Sequence, residues 1–202
     1  YENNRYDKID VISDGLGGQT TTKVDVYVKV DDKPIDIKVS LKAGDVKQFG
    51  QVSGAEFSKQ EKLWETSFGY GTEIKSEKSK YEELMIKNQP AEAVNLVYQK
   101  VAAQFNKDMK TSRKGSIIRT LAESIKFFAT LNEDNVVLLQ VANDAAKLYS
   151  FDQIYDALEN MDFVADIAVG KTGLPTLTIY TTQKQPIIQY RVKQEFKSDG
   201  SP

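Results

Sequence analysis

The segment from Val24 to Leu41 constrains the fold more than any other part of the chain. Val24, Val26, Val28 and Val30 alternate with Asp25, Tyr27 and Lys29, the two-residue period of a strand with one buried face. Beyond Asp31, Asp32, Lys33 and Pro34, the residues Ile35, Ile37, Val39 and Leu41 alternate with Asp36, Lys38, Ser40 and Lys42. Two such runs joined by turn residues predict an antiparallel hairpin over Thr22–Val30 and Ile35–Lys42, with Val24, Val26, Ile37 and Val39 buried. If Val30 pairs with Ile35 across a four-residue turn, the numbers of facing residues sum to 65. Asp25 then lies opposite Ser40 and diagonal to Lys42, all on the polar face. A solvated sheet face is the bland account of this pattern.

The rest of the chain reads as a mixture of helices and strands. Ser13 to Thr22 is rich in Gly and hydroxyl residues and reads as a loop. Asp45 to Phe68 reads as mainly helical, with Gly50 and Gly54 weakening its first turns. Lys75 to Lys80 is a charged connector. Tyr81 to Leu131 predicts two or three amphipathic helices, broken near Asn88–Pro90 and again near Lys110 to Gly115. Strands return from Val136 with VVLLQVA; a helix follows from Phe151 to Asn160, and FVADIAVG, LPTLTIYTT and PIIQYRVKQEF then form an antiparallel meander. A chain of 202 residues can bury a sizeable interior. The expectation is one α/β domain over 1–202, its core strands within 21–42 and 136–196 and a helical insertion at about 77–131.

Composition narrows the chemistry. The chain has no His and no Cys, which excludes Ser-His-Asp and Cys-His catalysis, thiolate or imidazole zinc sites and disulfides. Catalysis would have to run on carboxylates, lysines, hydroxyls and oxygen-ligated metal, which points to Mg²⁺ or Mn²⁺. A net charge of -2 leaves a nucleic-acid partner open, because positive charge can be confined to one cleft. No apolar run approaches the roughly 18 residues that span a bilayer. Nothing near Tyr1 combines a basic region with an apolar one, as a signal peptide would. The expected setting is therefore cytoplasmic, without a membrane partner.

The hairpin residues resemble the PD-(D/E)XK nucleases, a superfamily of restriction enzymes, phage nucleases and recombination nucleases. In that family an Asp on one strand and an acidic-x-Lys motif on the next hold the metal and activate water. Two readings of the second half stay open. One is Asp36-Ile37-Lys38, a literal D-x-K that begins 11 residues after Asp25. The other is Ser40-Leu41-Lys42 followed by Glu56, 14 positions after Lys42, similar to variants in which Ser replaces the strand acid and a helix glutamate supplies the carboxylate. In the ideal register Asp36 lies about 13 Å along the strand from Asp25, too far to share a metal unless the hairpin is bulged. The favoured reading is therefore Asp25, Ser40, Lys42 and Glu56. It requires the helix after Gly44 to fold back over the polar face.

The resemblance covers about residues 13 to 60 and implies a restriction-endonuclease-like core, a mixed β-sheet flanked by helices. It also implies Mg²⁺ or Mn²⁺ held by Asp25 and Glu56, a nucleic-acid partner with DNA ahead of RNA, a phage or restriction origin, and an optional homo-oligomer. The segment VSLKAGDVKQFGQVSGAEF is similar to phage-type members. Lys23, Gln48 and Gln51 are candidate contacts to phosphate or water. Val24 stands where the motif has Pro, and Ser40 where it has an acid; Glu2 is the candidate for the acid that a first helix often adds. The alternative is a non-catalytic nucleic-acid-binding or assembly module, and beyond it an unrelated interaction domain. Arg191 and Lys193, alternating with apolar residues on the last strand, are further nucleic-acid candidates, unless that strand is an edge guarded by charge. The basic stretch Lys107 to Arg119 is either a phosphate-contacting surface or a solvated loop. Trp64 and Phe68, at helical spacing, belong to the core.

Overall fold

The computed structural model describes residues 9–13, 26–43, 48–53, 55–130, 136–142, 145–149, 151–169 and 173–193. Nine strands and six helices lie among them: β1 (Ile9–Ser13), β2 (Val26–Val30), β3 (Lys33–Ala43), β4 (Gln48–Ser53), α1 (Phe57–Phe68), α2 (Gly71–Ile74), α3 (Lys78–Ile86), α4 (Pro90–Asp108), α5 (Lys114–Thr130), β5 (Val136–Ala142), β6 (Ala145–Tyr149), α6 (Phe151–Glu159), β7 (Phe163–Val169), β8 (Pro175–Thr181) and β9 (Pro186–Lys193). A 3₁₀ turn at Lys75–Glu77 joins α2 to α3. The protein is α/β. No helix among the described residues is long and apolar enough to cross a membrane.

The sequence reading treats 1–202 as one domain; the contacts gather into two compact units. One comprises Tyr1–Val46 and Lys126–Asp156, the other Lys47–Ile125 and Ala157–Pro202. Each unit draws on separate stretches of the chain.

The first unit is built on a five-stranded sheet in the order β1-β2-β3-β5-β6. β1, β2 and β3 form an antiparallel meander, β5 runs parallel to β3, and β6 returns antiparallel to β5. The sheet is therefore mixed. The predicted hairpin is β2–β3, but its turn is tighter than the expected four residues. Val30 pairs with Lys33, and Asp31 and Asp32 alone make the turn with φ of 50° and 60°. Positive φ at both central residues gives a two-residue turn the twist of its flanking strands, and Asp tolerates that conformation. The tighter turn is absorbed further along. The ladder runs Lys29↔Pro34 and then Tyr27↔Lys38, so Val28 alone spans the interval that Ile35, Asp36 and Ile37 span on β3. That is a β-bulge.

The second unit packs helices against a four-stranded sheet of order β4-β9-β8-β7. β7, β8 and β9 are the antiparallel meander expected from the sequence. β4 adds parallel to β9, where the sequence predicts helix from Asp45. The correction has a local cause: Gly50 and Gly54 disfavour a helix, and pairing with β9 satisfies a whole row of backbone groups. The expected helix breaks are present. α4 opens on Pro90, whose fixed φ suits the first turn, and it buries Ala93, Val94, Val97, Tyr98, Val101, Ala102 and Phe105 at helical spacing. α1 ends at Gly69, φ 69°, whose N–H donates to the Glu65 carbonyl, a left-handed position that glycine adopts without penalty.

Aromatic rings fill this unit's interior. The Trp64 ring centre lies 5.2 Å from that of Tyr98 and 4.9 Å from that of Tyr190, and Phe68 lies 5.3 Å from Phe105. Trp64 is fully buried and Phe68 nearly so, as their spacing predicts. Each such pair contributes about 0.5–1.5 kcal/mol beyond the area it buries.

Candidate functional site

The hairpin carries the first group of candidate residues. Val26 pairs with Val39 and Tyr27 with Lys38, so at its open end the ladder has the residue-number sum of 65 that the favoured reading requires. Asp25, Lys23 and Glu2 lie outside the described residues, as do the side chains at 36–42. On its other side β3 sets Ser40 against Leu138 and Lys42 against Gln140 of β5. Ser40 and Lys42 thus occupy the central strand of the mixed sheet. The bulge bears on the rival reading. It sets position 36 opposite Val28, one step nearer the open end of the ladder than the ideal register would.

Glu56 immediately precedes α1 with extended backbone, φ -66° and ψ 141°, and its carbonyl accepts the first N–H bonds of the helix from Lys59 and Gln60. The helix after Gly44 that was to carry it over the hairpin is replaced by β4, and Glu56 belongs to the second unit. Its carboxylate lies 2.9 Å from Lys59 Nζ and is 63% exposed. The hydrogen bond from that ammonium, aided by its charge, holds the carboxyl below its ordinary range. Beside it, the Tyr81 hydroxyl donates to the Ala55 carbonyl. Burial, with Glu56's charge adding to it, pushes the Tyr81 phenol upwards. Glu56, Phe57, Glu61, Tyr81 and Met85 line an open groove of about 560 Å³. Among the described residues no cluster of three or more acids is placed to hold a metal. The donor types in the favoured reading are carboxylate oxygens, which suit Mg²⁺ and Mn²⁺.

Four of the five proposed nucleic-acid contacts fall on two adjacent strands. In the parallel β4–β9 ladder Gln48 stands against Gln189, Gln51 against Arg191 and Ser53 against Lys193. Gln48 and Gln51 were expected on a helix; they lie on a strand. β9 is flanked by β4 and β8, so Arg191 and Lys193 do not guard an edge. Ile188, Tyr190 and Val192 are buried while Gln189 and Arg191 are half-buried, as the alternation predicts.

The sequence reading missed a buried carboxylate. Asp108 is 2% exposed; it accepts hydrogen bonds from Tyr70 Oη at 3.0 Å and Gln104 Nε2 at 2.9 Å, and lies 3.1 Å from the Arg113 guanidinium. Burial, the Asp108 charge and the hydrogen bond to it raise the Tyr70 phenol far above its ordinary value. The only sequence signal was an acid inside a basic run. No family model, no curated protein and no solved structure matches the chain.

Proposed function

We propose that the protein is a metal-dependent nuclease with a restriction-endonuclease-like core, hydrolysing phosphodiester bonds, with DNA its substrate ahead of RNA. The observation that carries this reading is the β2–β3 ladder. Its pairs Val26↔Val39 and Tyr27↔Lys38 share the residue-number sum of 65 which, if continued by one residue, would set Asp25 against Ser40, on the central strand of a mixed sheet. In this reading Asp25 would be a ligand to Mg²⁺ or Mn²⁺, which would supply an acidified water when bound; Glu56, the second ligand of the sequence expectation, precedes α1 in the other unit and pairs with Lys59. Lys42 stabilises the negative charge that develops on the phosphate, and Ser40 is a hydrogen-bonding neighbour. Gln48, Gln51, Arg191 and Lys193, with Lys23, position the nucleic-acid backbone.

The test is incubation of the purified protein with plasmid, linear duplex, single-stranded DNA and RNA in Mg²⁺ or Mn²⁺, with EDTA as control. Metal-dependent cleavage of at least one substrate is the expected result; none on any of them contradicts the reading. The second reading, a non-catalytic nucleic-acid-binding module, draws on Ser40 in place of an acid and on the Glu56–Lys59 ion pair. Binding without cleavage, and without Mn²⁺ uptake, would select it.

A further inference from the structure

The stretch Lys107 to Arg119, KDMKTSRKGSIIR, takes no part in the hydrolysis proposed above, yet its fold sorts its charges. Lys110 N–H donates to the Lys107 carbonyl at 3.0 Å, Thr111 N–H to Asp108 at 3.1 Å and Lys114 N–H to Thr111 at 3.2 Å. These are the three-residue bonds of a tight turn, in which side chains three apart line up. Lys107, Lys110, Arg113, Ser116 and Arg119 follow at that step, and all five are exposed. Asp108, Met109, Ile117 and Ile118 face inward instead.

The turn is fixed from beneath. Asp108 gathers Tyr70, Gln104 and Arg113, and Thr111 Oγ1 donates to the Asp108 carbonyl at 2.9 Å while accepting from Arg113 N–H. Little backbone freedom is left to lose when a partner docks. Charge cancellation is uneven. Arg113 pairs with Asp108, Lys114 with Asp162 and Arg119 with Glu123. Lys107 and Lys110 make no salt bridge among the described residues, and three-residue spacing puts their Cβ atoms about 5–6 Å apart.

The geometry points to this turn as a docking surface for the phosphodiester backbone of nucleic acid, an inference that rests on the reading proposed above. Two exposed lysines three residues apart on an ordered turn, with Ser112 and Ser116 also exposed along it, suit a chain of regularly spaced anions. Lysine meets phosphate as a point charge, so the surface adds affinity without reading sequence.

The test measures binding of labelled duplexes of two unrelated sequences, of a labelled single strand, and of vesicles containing anionic lipid, by the wild type and by Lys107→Gln/Lys110→Gln, in EDTA across a salt series. The substituted lysines are exposed, so the melting temperature should be unchanged. For duplex, the slope of log K against log salt should become shallower by about 2, equally for both sequences, because each phosphate neutralised contributes about 0.9. An unchanged slope in a wild type that binds duplex overturns the docking surface and leaves the nuclease reading standing. Loss confined to the vesicles overturns it in favour of a membrane contact. A wild type that binds neither duplex nor single strand overturns both readings.

Discussion

Gln60 offers a prediction whose sign runs against intuition. It lies on the inward face of α1, three residues after Phe57 and four before Trp64, and is fully buried. Neither its Nε2 nor its Oε1 has a hydrogen-bond partner among the described residues. An amide buried without partners costs about 1–3 kcal/mol on the scale of protein mutational data. Met has nearly the same length, fills irregular gaps and matches Gln in helix propensity. Gln60→Met should therefore stabilise the protein by about 1–3 kcal/mol, less any misfit of the thioether. At about 2–4 °C per kcal/mol for a chain of this size, the melting temperature should rise by roughly 2–12 °C. Urea unfolding monitored by Trp64 fluorescence measures the change, and an unaltered m-value shows that the unfolded state has not shifted. A loss of 1 kcal/mol or more would refute the reasoning, because it would mean that bound water or another group satisfies the amide.

Other perturbations probe the remaining sites. Tyr70→Phe removes one donor from the buried Asp108 carboxylate and should cost about 1–2 kcal/mol, while Asp108→Ala also strands the Tyr70 hydroxyl and should cost about 2–4 kcal/mol in urea unfolding. Arg113, half in water, should account for little of that loss. Lys59→Ala should raise the Glu56 carboxyl part of the way back towards its ordinary range, a backbone hydrogen bond still holding it down, as read by NMR titration. Since the folded pKa of Glu56 is lowered, its contribution to stability is present above the unfolded value and fades as pH falls through the folded one; the variant should lose much of that acid-side dependence. In Mn²⁺ titrations Asp25→Ala should abolish binding. Loss in Glu56→Ala with binding kept in Asp36→Ala would select Glu56 as the second ligand; the opposite pattern would select Asp36 with Lys38.

What the sequence disclosed follows from which forces are local. The valines and isoleucines of β2 and β3 alternate, so those strands are legible from their period alone. The same holds for β7 to β9, where Leu177, Ile179, Ile188, Tyr190 and Val192 turn inward. α4 is legible from its apolar stripe and from Pro90. β4 is not: QFGQVS has no apolar period, and its strand is imposed by β9 at a distance of more than a hundred residues. β1 and β6, five residues each, are equally short of internal signal. The Asp31–Asp32 turn escaped because Pro34 suggested a wider one, and the bulge at Ile35–Ile37 compensates for that tightness. The division into two units depends on non-local pairing, which no window of sequence displays. Asp108 was hidden among lysines, because burial of a charge is decided by its partners Tyr70 and Arg113.

The central claim is tested most directly by cleavage of a labelled DNA duplex in Mg²⁺ by the wild type, Asp25→Ala and Lys42→Ala, each with a thermal melt. The account predicts cleavage by the wild type, a loss of at least about a hundredfold in each variant, as expected for removing a transition-state-stabilising group, and melting temperatures within a few degrees of one another. Variants that cleave as fast as the wild type, or that lose activity only in step with their folding, would contradict it.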